Sequence, residues 1–139
     1  MPQFARFAVM LSVVGAAIAG CNLAGDCENE ILTELPSPDG RLIAVVFERD
    51  CGATTDFSTQ VSVLPKASRL PDQGGNVFVA DTNHGAVPPG PGGGPEVEVI
   101  WSDRATLMIR HRSEARVFKS ERRVKGVTVV YGELSSAGN

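Results

Sequence analysis

The chain has 139 residues, with 13 Lys and Arg set against 16 Asp and Glu, a net charge of −3, and three cysteines. That length supports one domain with one modest hydrophobic core. The weakly acidic balance argues against nucleic acid as a partner, because phosphate backbones select basic surfaces, and it offers no polybasic attraction to lipid headgroups.

Residues 1–20 read as an export signal. Arg6 is the only charged side chain there, and Phe7 to Ala19 is an apolar run of signal-peptide length, short for a bilayer span. The run ends in Ile18-Ala19-Gly20-Cys21. This resembles the lipobox of bacterial lipoproteins, in which small residues precede a cysteine that is lipidated and becomes the mature N-terminus. The resemblance implies palmitate-type acylation of Cys21, which would tether the chain to the lipid bilayer at about 0.8 kcal/mol per buried methylene. The alternative is an ordinary signal peptide in which Cys21 is incidental. Asn22 is not the aspartate associated with inner-membrane retention, so the same resemblance implies the outer membrane of the cell envelope, where the organism has one. Losing residues 1–20 removes one base, Arg6, and no acid, so the mature charge becomes −4. Residues 21–26 are then a tether, 27–134 a single β domain, and 135–139 a disordered tail.

Cysteine arithmetic supports this division. Assigning Cys21 to the lipid leaves Cys27 and Cys51 as a pair in a compartment where disulfides persist, the alternative being two free thiols. Glu30 to Leu35 can run as a strand, and Pro36-Ser37-Pro38-Asp39-Gly40 is a tight turn built from a fixed proline φ, a backbone-bonding Asp and a permissive Gly. Leu42 to Phe47 follows, apolar on both faces as a central strand requires. Cys27 lies twelve residues before Asp39 and Cys51 twelve after it, so a hairpin on that turn sets the two opposite each other. Opposed strand residues have Cα atoms about 4.5 to 5.5 Å apart, which is disulfide distance.

The next loop, Arg49 to Gln60, holds the most distinctive chemistry. Asp50, Thr54, Thr55, Asp56 and Ser58 form a candidate recognition patch for a polar ligand, or else they bond local backbone to hold a wide turn pinned by the disulfide. The succession SPDG, an apolar strand, RDCGATT and STQVSV resembles a family of small uncharacterised bacterial envelope proteins with a Cys-Gly-Ala-Thr-Thr core. The resemblance implies no activity.

Thr59 to Leu64 alternates as a half-buried strand that ends at Pro65, Lys66 to Gly75 is a polar connection, and Asn76 to Asp81 is another short strand. From Gly85 to Pro95, nine of eleven residues are Gly or Pro, a composition that implies a flexible surface loop. A proline-rich ligand reading is weakened by the glycines, and a phosphate-cradle reading fails because no lysine and helix start follow. Glu96 to Trp101 and Thr106 to Arg110 flank a Ser102–Ala105 turn as a second hairpin, with Trp101 as a core or sheet-face anchor rather than a ligand platform. Val127 to Tyr131 centres the last strand.

The expected fold is therefore all-β: a small antiparallel sheet or two-sheet sandwich stapled by a disulfide. SPDG before RLIAVVF, and later VEVIWSDRATLMI, resemble the strand and turn grammar of TolB-type and WD-repeat β-propeller blades. A closed propeller needs about four blades or more, so an open meander or sandwich is the form implied here.

Nothing in the sequence identifies a biochemical activity. His84 and His111 stand without a second ligand at metal spacing, and the Asp50 and Asp56 spacing matches no calcium loop. The sequence implies no cofactor, no metal and no catalytic set. The expectation is a lipid-anchored binding or structural module that meets an envelope protein or glycan through the Asp50–Ser58 loop. The alternative is a small hydrolase drawing Thr54, Thr55 or Ser58, His84 and Asp50 together.

Overall fold

The computed structural model describes residues 27–52 and 56–135, which form nine β-strands and, among those residues, no helix. The segment expected to be an export signal, Cys21 with its expected tether, Thr54, Thr55 and residues 136–139 lie outside the described residues. One sheet contains β1 (Glu28–Pro36), β2 (Leu42–Asp50), β3 (Ser58–Pro65), β4 (Phe78–Asp81) and β7 (Arg116–Ser120), in that order. The second contains β5 (Val97–Asp103), β6 (Thr106–His111), β9 (Val127–Glu133) and β8 (Arg123–Val124).

The first hairpin is closed by the SPDG turn. Ser37 Oγ donates to Asp39 Oδ1 at 2.7 Å and accepts from the Leu42 N–H at 3.0 Å, while Gly40 takes φ 73°. These bonds satisfy the turn's own polar groups. Beside the turn the register is Pro36↔Ile43, which, continued unbroken, would bring Cys27 opposite Gly52. A bulge at Leu32 moves the register by one residue, and from Ile31↔Phe47 outward the pairing is centred on Asp39. The disulfide Cys27–Cys51 closes the open end, with Cα atoms 4.0 Å apart. The symmetric count about Asp39 thus holds at the cysteines and is off by one at the turn.

Strand β2 is buried on both faces, as its unbroken apolar run implies. Ala44 and Val46 join Val61, Val63, Phe78, Ala80, Leu107, Ile109, Val127 and Val129 in a core drawn from both sheets, which makes the molecule a two-sheet sandwich. On the outer face Ile43, Val45, Phe47 and Leu64 form a second cluster, roofed by Leu70. The connection over residues 66–76, polar in sequence, supplies that roof. Gln60 accepts from the Gly75 N–H at 2.7 Å, and Asn76 bonds the N–H and carbonyl of Val63 at 2.8 and 2.9 Å as a surrogate strand. Full burial of side chains such as Phe47, Phe78, Leu107 and Ile109 is worth about 1.5–3 kcal/mol each.

The Gly85–Pro95 segment packs in a way composition does not reveal. Val87 and Pro95 are buried, Gly90 N–H donates to the Gly94 carbonyl at 2.7 Å, and Thr59 Oγ1 donates to the Pro95 carbonyl at 2.6 Å. A Cβ on Gly94 would lie 2.5 Å from Thr59 Oγ1, so only glycine lets this backbone lie against β3.

In the second sheet β6 and β9 run parallel, where sequence reading pairs neighbours only as hairpins. Between them the chain crosses to the first sheet as β7 and returns through β8, so β9 re-enters in the direction of β6. Trp101 Nε1 donates to the Leu35 carbonyl at 2.7 Å, tying β5 to β1 across the sandwich.

Candidate functional site

Strand pairing builds the site. The partners Asn29↔Arg49↔Ser58↔Asp81↔Arg116 run in one row across all five strands of the first sheet, on its outer face at the disulfide end. The next row inward, Ile31↔Phe47↔Gln60↔Val79↔Lys119, is covered in its middle by the residue 66–76 connection. Polar side chains gather at the disulfide end, where Asn29 and Arg49 bond to Pro71, Gln73 and Asp72 of that connection and the Asp81 side is left open. A groove of about 440 Å³ lies there, between Asp56, Ser58, Asp81, His84, Arg116 and Phe118.

Arg116 is its hub. Nε donates to both carboxylate oxygens of Asp81 at 3.2 Å, Nη2 also donates to Asp81, and Nη1 lies 3.2 Å from His84 Nε2. Its guanidinium carbon stands 5.0 Å over the Phe118 ring, within cation–π range. Burial pushes the Asp81 carboxyl up, but the Arg116 guanidinium and the Asn83 N–H outweigh it and hold the group below the usual carboxylate range. Hydrogen bonding to Asp81 raises Arg116 in turn.

His84 is presented by a tight turn in which Asn83, His84 and Gly85 take φ of 53°, 56° and 84°. Asn and His accept this left-handed region more readily than most side chains. Because Nε2 faces an obligate donor in Arg116, the neutral ring accepts at Nε2 and carries its proton on Nδ1. That N–H lies toward Asp56 Oδ2, 3.6 Å away, and the same oxygen is 3.8 Å from Arg116 Nη2. The array Asp56, His84, Arg116, Asp81 is a mixed-charge rim in which every titratable member has a partner.

The residues singled out in the sequence divide here. Asp56 belongs to the rim. Asp50 accepts from the Gly52 N–H at 2.9 Å, and Ser58 Oγ donates to the Arg49 carbonyl at 3.1 Å while accepting from Gln60 Nε2 at 2.8 Å. Those two hold the local backbone, which was the alternative reading of the patch. The carboxylate beside His84 is Asp56 rather than Asp50, and the Ser58 hydroxyl proton is directed to a backbone carbonyl. His111 sits elsewhere, its Nδ1 2.9 Å from the Arg112 carbonyl and its ring against Phe78. Among the described residues, no three His, Cys, Asp or Glu side chains are arranged to hold a metal ion.

Sequence reasoning did not find Arg49, Asp81, Arg116 or Phe118 as site residues. The one available signal was Arg116-Val117-Phe118-Lys119-Ser120, two strand-forming apolar residues among charges between turn-prone Ser113-Glu114 and Glu121. Comparison with protein-family models, with curated proteins and with solved structures returns no match.

Proposed function

We propose that this chain is a lipid-anchored protein of the bacterial cell envelope whose disulfide-end rim is a binding surface for an envelope protein or glycan. The observation that carries the reading is the Cys27–Cys51 bridge, which closes the domain at its first residues. A disulfide there suits an exported chain and leaves Cys21, at the end of the lipobox-like segment, as the one remaining cysteine. Five residues separate Cys21 from Cys27, at most roughly 20 Å of extended chain, so a lipid on Cys21 would keep the rim near the bilayer.

The rim's chemistry supports recognition. Phe118 is 60% exposed beside Asp56, His84 and Arg116, and an aromatic group next to arginine is favoured at binding surfaces. Feeding cells labelled palmitate should mark the parent chain and leave Cys21→Ala unmarked and released from membranes; label on both would remove the anchor from the proposal. In crosslinking and affinity capture, Asp56→Ala with Phe118→Ala should lose a partner that the parent retains. Identical captures from parent and variant would remove the rim.

A further inference from the structure

The end opposite the disulfide carries a second concave site, made where four connections meet. Arg41 follows the β1–β2 turn, Lys66 follows β3, Arg104 lies in the β5–β6 turn and Lys125 in the β8–β9 turn. Between them is a cleft of about 570 Å³, lined by Arg41, Arg104 and Lys125 over a floor that includes Leu42 and Val127. Lys66 reaches the same rim, its Nζ 3.9 Å from where a Cβ on Gly40 would stand.

The charge in this cleft is unbalanced. In a chain of net charge −3, its lining sets three cations, Arg41, Arg104 and Lys125, against one acid, Asp39, with Lys66 beside Gly40. Among the described residues none of the four cations makes an ion pair, as is also true of Arg69, Arg112, Lys119, Arg122 and Arg123. Asp39 turns its Oδ1 to Ser37 Oγ and the Arg41 N–H within its own turn. After those hydrogen bonds, the charges of Arg41 and Arg104 also help lower the Asp39 carboxyl, but one acid does not balance the cations around it, and the surplus like charges repel. Moreover, Lys125 occupies φ 50° before Gly126, a turn position where Asn or Asp is the usual residue, so a cation is held there at some conformational cost.

We propose that this cleft binds a phosphate-type anion, with Arg41 and Arg104 as forked donors and Lys125 and Lys66 as point charges. Guanidinium forks match the spacing of phosphate oxygens, and an apolar floor keeps water from one side of the contact. The phosphate can belong to a soluble phosphorylated ligand or to lipid headgroups. The site shares no residue with the disulfide-end rim and does not depend on lipidation of Cys21.

The test uses the ¹⁵N-labelled full chain carrying Cys21→Ala in zwitterionic detergent, titrated with sodium pyrophosphate against sodium chloride of matched ionic strength. The amides of Arg41, Ala105 and Gly126 should shift saturably, with Kd below about 1 mM. Combined Arg41→Ala, Arg104→Ala and Lys125→Ala should weaken binding at least about tenfold, while Arg112→Ala, at the far end of the sandwich, should leave it unchanged. Asp39→Asn keeps the Oδ1 acceptor, removes the opposing charge and should tighten binding several-fold. Flotation with phosphatidylglycerol or phosphatidylcholine vesicles separates the sources: anionic-vesicle binding abolished by the triple substitution assigns headgroups, and pyrophosphate binding without it assigns a soluble ligand. Shifts that follow ionic strength alone, survive the triple substitution, or fail to strengthen in Asp39→Asn overturn the proposal.

Discussion

Asp81 and Glu48 are both nearly buried carboxylates, and their surroundings push them in opposite directions. Asp81 is held low by Arg116 and Asn83 against the upward push of burial, so it binds its proton more weakly folded than unfolded. Its contribution to stability is therefore complete above the unfolded carboxyl range near pH 4, and is lost as pH falls through its lower folded pKa. Asp81→Ala should cost roughly 1.5–3 kcal/mol near neutrality, because it strips a partner from a charged donor, and the deficit should shrink in acid. Denaturant melts at pH 7 and pH 3 check this; an equal deficit at both would detach the effect from the ion pair. Glu48 is 5% exposed, its Oε1 has no hydrogen-bond partner, and burial, then Asp50 and Glu30, raise its carboxyl. The sign reverses: its protonated form is favoured by folding, full benefit lies below the unfolded pKa, and it disappears as pH rises through the folded one. Glu48→Gln should accordingly be more stable than the parent at pH 7, with the two converging toward pH 4. A parent that melts higher at pH 7 would sink the argument.

At the scale of elements, two segments that look like linkers prove to be packed parts. The Gly85–Pro95 segment touches β2, β3 and the Phe57 ring through Gly92, Gly94 and Gly93, where added Cβ atoms would approach within 2.9, 2.5 and 3.0 Å. Gly94→Ala must displace the Thr59 contact and should lower stability by about 1–3 kcal/mol, in the range of overpacked cores. Amide hydrogen exchange gives the companion measurement: Val87, Gly90 and Gly93 should be slowed in the parent and fast in Gly94→Ala. Fast exchange in both would return the segment to the flexible loop its composition implies. The bulge at Leu32 matters in a similar way, since it converts a turn that would miss the disulfide by one residue into a register that forms it.

For the whole molecule, a single core spans both sheets, and the Trp101–Leu35 bond and the Cys27–Cys51 bridge join elements distant in sequence. A shared core implies one cooperative transition. Trp101 fluorescence and far-UV circular dichroism should give coincident melts, whereas separated midpoints would mean that the sheets unfold independently. The two candidate surfaces stand at opposite ends of strands such as β1, nine residues long and so spanning roughly 25–30 Å. Substitutions at one end should leave binding at the other unchanged.

Much of this was legible locally. Leu42 to Phe47 is apolar on both faces and had to be a central strand. Ser37-Pro38-Asp39-Gly40 carries its own hydrogen-bond partners and had to turn, and two cysteines equally spaced about that turn were placed to meet. Each follows from interactions between residues near in sequence or from a simple count. The rim and the cleft do not. Arg116 meets Asp81 from 35 residues away, and Arg41 faces Lys125 only because chain crossings between the sheets carry the β8–β9 turn to the same end. Charge distribution across such distances leaves no periodicity in the sequence, so these sites were decided by strand order and register, which the shared core selects.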